Sequence, residues 1–172
     1  SFHLLDGREK MITKSPIRLQ ALSMLDLHQK HTFWDIGFCT GSVSIEAKLQ
    51  FPHLQIHAFE CRPEGETLIN LNTRKFGTPG IEYHIGDFME LDLSDLPAPD
   101  AVFIGGHGGQ LKEMLQKIDR YLLPGGCMVF NSVSENSLHL FREGIEAIDR
   151  RIDNEIGITV DSYNPITIIK AI

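Results

Sequence analysis

Strand-like and helix-like segments alternate along this chain from about residue 15 onward, and no repeat or low-complexity tract interrupts them. The β-prone runs that begin this pattern lie at 32–36, 55–59, 81–85, 100–104 and 127–131. Strands that are joined through helices need right-handed crossovers, so they lie parallel and the helices cover both faces of the sheet. The alternation therefore predicts a doubly wound α/β fold with a mostly parallel sheet.

Two further strands, 152–160 and 166–171, have no helix between them, so we expect an antiparallel hairpin at the edge of a seven-stranded sheet. Each predicted helix has apolar residues at helical spacing. The first starts at Ser15, and the others span 42–49, 63–76, 111–122 and 135–148. A length of 172 residues fits one domain, in which 1–30 forms an N-terminal lead-in and helix. The start at Ser1 rather than Met is compatible with the C-terminal part of a longer protein.

The net charge and the cysteine content of the chain argue against several classes of function. A net charge of -7 lacks the basic excess of a nucleic-acid or anionic-membrane binder, and no apolar run is long enough to span a bilayer. The three cysteines, Cys39, Cys61 and Cys127, form no C-x-x-C pair, so neither a disulfide framework nor a structural zinc site is indicated. We therefore expect reduced thiols, a cytoplasmic location and no metal ligands.

Four predicted strands end in a glycine or an acid, at the edge where doubly wound sheets bind ligands: Gly37, Glu60, Asp87 and Gly105. Gly37 and Gly41 give the first turn the backbone freedom to bend sharply and approach a ligand. Glu60 follows Gly41 by 19 residues and can accept hydrogen bonds from both hydroxyls of a ribose. Asp87 can accept from the amine of adenine. These positions together fit an adenosine laid across the strand ends.

The first turn favours a cationic adenosine ligand over a dinucleotide. Its glycines are spaced G-x-x-x-G, with Cys39 where a dinucleotide-binding turn has its second glycine, and the chain contains no P-loop motif. Asp35 precedes the turn and suits a cation better than a pyrophosphate. S-adenosylmethionine carries an ammonium and a sulfonium at that end, so it is the predicted cofactor. The alternatives are a turn that is only structural and an NAD-dependent oxidoreductase.

Several longer motifs go beyond a generic methyltransferase. They are Met11-Ile12-Thr13-Lys14, W-D-I-G-x-x-T-G-S-V-S-I-E-A from Trp34, L-P-x-P-D-A-V-F-I-G-G-x-G-G from Leu96, P-G-G from Pro124, N-x-V from Asn131 and N-P-I-T from Asn164. As a set they resemble the CbiT family of precorrin methyltransferases and the C-terminal half of fused CobL-type enzymes. The resemblance implies a class I methyltransferase that methylates carbon 15 of a tetrapyrrole in cobalamin biosynthesis and decarboxylates an acetate side chain.

The resemblance also implies where the cofactor binds and how the protein assembles. The family's S-adenosylmethionine contacts fall here on Thr13, on Glu60, on Phe88 and on the loop formed by Gly37, Phe38, Cys39, Thr40 and Gly41. Members usually have Gly-Ala-Gly-Thr-Gly in that loop, so Phe38 and Cys39 are departures. The resemblance further implies a homotetramer and a carbon-5 methyltransferase domain that is fused to this one or acts with it.

The chemistry needs few catalytic side chains, because the carbon nucleophile belongs to the substrate and the protein mainly aligns it. His107, in a glycine cluster at the predicted pocket mouth, is the candidate acid for decarboxylation; the alternative is a solvent-exposed loop histidine with no task. Asn131 can orient a substrate carboxylate or cap the following helix. A methyltransferase for another small acceptor, or a non-catalytic domain that only binds the cofactor, remains an alternative.

Overall fold

The computed structural model describes residues 1–172, apart from the side chain of Glu9. Its seven strands are β1 (Thr32–Ile36), β2 (Gln55–Glu60), β3 (Ile81–Ile85), β4 (Ala101–Ile104), β5 (Cys127–Ser132), β6 (Ile152–Ile158) and β7 (Ile166–Ala171). They form one sheet in the order β3-β2-β1-β4-β5-β7-β6. The first five strands are parallel, and β7 lies antiparallel to both β5 and β6. The predicted doubly wound sheet with a terminal antiparallel hairpin is confirmed.

The helices are α1 (Ser15–Met24), α2 (Ser42–Gln50), α3 (Glu64–Phe76), α4 (Leu111–Tyr121) and α5 (Glu135–Ala147), with short 3-10 turns at Glu9–Met11 and Leu27–Gln29. Pro16 lies in the first turn of α1, where its missing N–H costs no hydrogen bond. Ser134 caps α5, since its hydroxyl accepts from the Ser137 N–H at 3.1 Å. None of the helices among the described residues is long and apolar enough to cross a membrane.

The sheet separates two apolar cores. Phe33 and Trp34 are neighbours on β1 with no exposed surface, yet they belong to opposite cores, because side chains alternate across a strand. Trp34 packs in the core that α4 and α5 cover, and Phe33 packs in the core that α1 and α2 cover. The central strands of the sheet therefore have both faces buried, and a large ligand has room only beyond their ends.

The strand order reverses between β1 and β4, because the chain first builds outward through β2 and β3 and then returns to the other side of β1. Two glycine-containing loops meet at this point, residues 37–41 after β1 and residues 105–109 after β4. A Cβ atom on Gly37 would lie 2.6 Å from the Gly106 nitrogen, so only glycine allows the two loops to approach this closely. Ligands of doubly wound sheets bind at such a reversal.

Candidate functional site

A cavity of about 360 Å³ opens at this reversal, beyond the carboxyl ends of β1, β2 and β4. Ten of the twelve residues that the sequence predicted for the site line it: Thr13, Asp35, Gly37, Phe38, Cys39, Thr40, Glu60, Asp87, Phe88 and His107. The other two, Gly41 and Asn131, do not. Gly41 instead precedes α2 in a left-handed conformation and packs against Ile69.

The loop formed by residues 37–41, here called the first glycine loop, is fixed by backbone hydrogen bonds. The Gly37 and Phe38 N–H groups donate to the Phe59 carbonyl at 2.7 and 3.1 Å. Gly37, Cys39 and Gly41 all have positive φ angles, of 76°, 53° and 80°. The loop is thus held in a conformation that suits glycine at three positions, one of which carries a cysteine.

Glu60 ends β2 with only 3% of its surface exposed, and its carboxylate holds the first glycine loop. Oε2 accepts from the Cys39 N–H at 2.9 Å, while Oε1 accepts from the Arg62 N–H at 3.1 Å and from the Arg62 guanidinium at 3.3 Å. A Cβ on Gly65 would lie 2.7 Å from the Glu60 Cγ, so glycine makes room for this side chain. The carboxylate is oriented before any ligand binds and still has lone pairs for further donors.

Asp35 is fully buried at the bottom of the cavity, and only one of its oxygens is satisfied. The Ser44 hydroxyl donates to Oδ2 at 2.6 Å, whereas Oδ1 has no hydrogen-bond donor among the described residues. Burial raises the pKa of this carboxyl to about 7. A buried half-satisfied carboxylate needs a positive or donating partner, and the cavity is where that partner can enter.

Asp87 and Phe88 form the wall that follows β3. The Asp87 carboxylate accepts from the Met89 N–H at 2.9 Å, and the Phe88 ring packs edge-on against Phe59 with centroids 5.3 Å apart. Phe88 is therefore part of the aromatic core and also lines the cavity.

Lys117 fixes this wall and was not identified from the sequence. It lies buried on α4 and donates to the carbonyls of Phe88 and Leu91, both at 2.6 Å. Its ammonium also lies 5.2 Å from the centroid of the Phe88 ring. Burial lowers the pKa of Lys117. The two carbonyls are 29 and 26 residues away in sequence, so no local pattern shows that this lysine has a task.

His107 lies at the cavity mouth in the loop of residues 105–109, here called the second glycine loop. Its ring packs edge-on against Phe130 at 5.8 Å, and its Nδ1 accepts from the Gly109 N–H at 3.2 Å. Because Nδ1 is an acceptor, the neutral ring carries its proton on Nε2. Burial lowers the pKa of His107 below its usual value. The ring is therefore placed to exchange a proton through Nε2.

Asn131 lies on β5, opposite Ile168 of β7, and outside the cavity lining. It does not cap α5, because Ser134 does. Its Oδ1 is buried without a hydrogen-bond partner among the described residues. An unsatisfied buried amide oxygen is unusual and leaves room for a donor from outside the chain.

A family model described as precorrin methyltransferase domain matches residues 5–155 of this chain. The chain belongs to the precorrin methyltransferase family. A curated relative from Salmonella typhimurium, a cobalt-precorrin-6B C(15)-methyltransferase (decarboxylating), is 38% identical over 135 residues, which are 78% of this chain and 69% of that protein. The family resemblance of the sequence motifs is thereby confirmed.

Two further comparisons place this precorrin methyltransferase among its relatives. The precorrin-6Y C(5,15)-methyltransferase (decarboxylating) of Sinorhizobium is 37% identical over 123 residues, which are 72% of this chain but only 29% of that longer protein. The crystal structure of precorrin-6Y C5,15-methyltransferase from Geobacter metallireducens is 35% identical, has a TM-score of 0.87 and is covered over 92% of its length by 99% of this chain. The class I methyltransferase fold is therefore confirmed.

Proposed function

We propose that this precorrin methyltransferase uses S-adenosylmethionine to methylate carbon 15 of a precorrin and decarboxylates an acetate side chain in cobalamin biosynthesis. The observation that carries the cofactor assignment is the unpartnered Asp35 Oδ1 at the bottom of the cavity. A cation with N–H donors can donate a hydrogen bond to this oxygen, whereas the negative charge of a diphosphate would be repelled by the Asp35 carboxylate. The names of the Salmonella and Sinorhizobium relatives support the substrate and the two reactions.

The residues present fit the cofactor along its whole length. Asp35 would hold the ammonium group, the first glycine loop would offer backbone contacts, and Glu60 would accept from the ribose hydroxyls. Asp87 and Phe88 would hold the adenine, with Thr13 closing the cavity from the N-terminal segment. When bound, S-adenosylmethionine supplies an electrophilic methyl group on its sulfonium.

The chain itself contributes alignment and a proton. Holding the acceptor carbon in line with the methyl group can lower a barrier by up to roughly 7–11 kcal/mol in well-oriented cases. We propose that His107 donates the proton that makes the macrocycle accept electrons as carbon dioxide leaves. Asn131, one residue before the end of β5, is a proposed second contact for a substrate carboxylate, to which its Nδ2 group would donate.

Mass spectrometry of precorrin-6B and of its cobalt form, each incubated with the protein and S-adenosylmethionine, tests this function. We expect one methyl group gained and one carbon dioxide lost in at least one of the two substrates. Binding of S-adenosylmethionine without any change in either substrate would instead identify a non-catalytic cofactor-binding domain. Methylation of another acceptor, with both precorrins unchanged, would refute the substrate assignment.

The role of His107 has its own test. In His107→Gln we expect methylation to persist while decarboxylation slows by about 10²–10⁴-fold, the usual contribution of a general acid. Because burial lowers the pKa of His107, its protonated form is abundant only below its usual pKa, so wild-type decarboxylation should slow as the pH rises through that region. Equal decarboxylation rates for variant and wild type would exclude the acid role.

We also propose that residues 1–172 act as one methyltransferase domain in a cytoplasmic homotetramer that works with a carbon-5 methyltransferase domain. The long Sinorhizobium relative, of which this chain matches 29%, supports the last point. The outer edge of β6 pairs with no strand of this chain, and such an edge is a natural site for assembly. Three cysteines without a disulfide among the described residues suit a reducing compartment. Analytical ultracentrifugation tests the tetramer.

A further inference from the structure

Two histidines and a glutamate meet on the sheet outside the cofactor cavity. His57 lies on β2, and Glu82 and His84 lie on the edge strand β3. The register pairs His57 with Glu82 and Phe59 with His84. Because residues two apart on a strand share a face, all three side chains project from the same face of the sheet.

The side-chain atoms of these residues lie as close together as the ligands of one metal ion. His57 Nδ1 is 3.0 Å from His84 Nε2 and 3.6 Å from Glu82 Oε2, and all three ligand atoms lie within 4.8 Å of one another. A tetrahedral zinc ion with ligand bonds of about 2.0–2.1 Å separates its ligand atoms by roughly 3.3 Å. We propose that His57, Glu82 and His84 bind one divalent transition-metal ion, with Zn²⁺ as the best fit.

The chemistry of the three residues supports a metal of this class. Two imidazoles and one carboxylate are a common three-residue ligand set for Zn²⁺, whereas Mg²⁺ and Ca²⁺ prefer oxygen ligands. Burial lowers the pKa of both histidines, which favours the neutral form of the ring that binds metal. The ring planes are within 14° of parallel, and one of the two facing nitrogens donates a hydrogen bond to the other.

The arrangement also leaves a route for the ion. His57 is only 4% exposed, but the Glu82 side chain is 69% exposed, so an ion reaches the two nitrogens from the Glu82 side. The only ion pair that the described residues give Glu82 is the one with His57. The remaining coordination position would face solvent and hold water.

The site adjoins the cofactor cavity without being part of it. The His84 ring lies against the Phe59 ring, with centroids 5.0 Å apart. Phe59 in turn lines the cavity. His84 precedes Gly86, Asp87 and Phe88, which also line the cavity. A metal ion bound here would fasten the edge strand β3 to β2 just before that wall.

Titration of ZnCl₂ into protein without a histidine tag, followed by calorimetry, tests the site directly and needs no enzymatic activity. We expect one ion per chain and a rise in Tm of about 5–10 °C when free Zn²⁺ is a hundredfold above Kd. Co²⁺ should bind at the same stoichiometry and show the visible absorption of a four-coordinate complex. Absence of a stoichiometric ion would overturn the proposal.

Variants separate this cluster from other histidines. His84→Phe keeps an aromatic ring against Phe59 but removes the ligand, and Glu82→Gln removes the charge at an exposed position. Each should weaken Zn²⁺ binding at least tenfold, the lower end of the loss seen when a group that is only hydrogen-bonded to a metal ligand is removed. His139→Ala is the matched control, because His139 pairs with Glu143 on the exposed face of α5. The proposal fails if His139→Ala abolishes binding, or if His84→Phe and Glu82→Gln both bind like wild type.

Discussion

The two glycine loops that border the cofactor cavity differ in how completely the chain itself fixes them. The first glycine loop is buried or half-buried, and backbone hydrogen bonds, the Glu60 carboxylate and the neighbouring loop all restrain it. The second glycine loop is exposed except at His107. A Cβ atom added to Gly108 or Gly109 would meet no atom within 4 Å.

This difference suggests a division of labour around the cavity. The proposed cofactor side is preorganised by the chain alone, which would lower the entropic cost of binding a flexible methyl donor. The proposed substrate side has free space around Gly108 and Gly109, as expected where a large tetrapyrrole must enter. The predictions below test whether one loop is rigid and the other adaptable.

Gly37→Ala should have the largest effect, and Gly109→Ala is its control. Both glycines have left-handed φ angles, of 76° and 81°, so the backbone cost of adding a Cβ is similar, about 1–2 kcal/mol. Only the Gly37 Cβ would also collide with the backbone of Gly106. We expect Gly37→Ala to lower the free energy of unfolding by about 3–5 kcal/mol and Gly109→Ala by about 1 kcal/mol.

Urea denaturation of the two variants measures this difference. Equal losses of unfolding free energy would mean that the first glycine loop adapts to a Cβ atom as easily as the second, which would remove the contrast between the two loops.

Asp35→Asn should stabilise the protein while weakening cofactor binding. The folded-state pKa of about 7 lies above the unfolded value of 3.8, so ionising Asp35 destabilises the folded state. That penalty is absent below pH 3.8, grows as the pH rises to about 7 and is constant above it. The asparagine variant should therefore exceed the wild type in free energy of unfolding by up to about 4 kcal/mol at pH 8, and bind S-adenosylmethionine at least tenfold more weakly.

Denaturation at pH 5 and pH 8 and calorimetry with S-adenosylmethionine check both parts. Asp95→Asn, at an exposed position, is the control and should follow the wild-type pH dependence. A gain in stability with unchanged cofactor affinity would show that the unpartnered Asp35 oxygen is not the cation site.

Glu60→Gln should weaken S-adenosylmethionine binding by about 1–3 kcal/mol, because the ribose hydroxyls lose a charged acceptor. The amide oxygen can still accept from the Cys39 N–H, so the first glycine loop should keep its shape. Glu64→Gln, at an exposed position at the start of α3, is the control and should bind like wild type. Calorimetry showing the same affinity for all three proteins would refute the ribose assignment.

The sequence predicted the rigid loop better than its surroundings, for a physical reason. Gly37, Gly41 and Glu60 belong to short motifs at strand ends, where the local pattern of strand, turn and helix determines both conformation and position. The strand order then brings those ends together, because a parallel sheet aligns all of its carboxyl ends.

Contacts that depend on distant segments were not predictable in this way. Lys117 acts on carbonyls in another loop, and His57 meets His84 only through the register between two strands. Cysteine spacing is a signal for a metal site that the sequence shows directly. The histidine cluster, by contrast, is brought together only by the register between β2 and β3. Asn131 was expected near the substrate from its strand-end position, but it lies one residue before the end of β5 and outside the cavity lining.

Cys39→Gly should have the smallest effect and tests how much strain the rigid loop tolerates. Cys39 adopts a φ of 53°, and a non-glycine residue in this region costs about 1–2 kcal/mol. Glycine removes that cost but loses more entropy on folding. We expect a net gain of about 0.5–1 kcal/mol in urea denaturation, with the Cys39 N–H bond to Glu60 retained. A loss of stability would mean that the packing of the thiol outweighs the backbone strain, and that the side chain rather than the turn holds this loop.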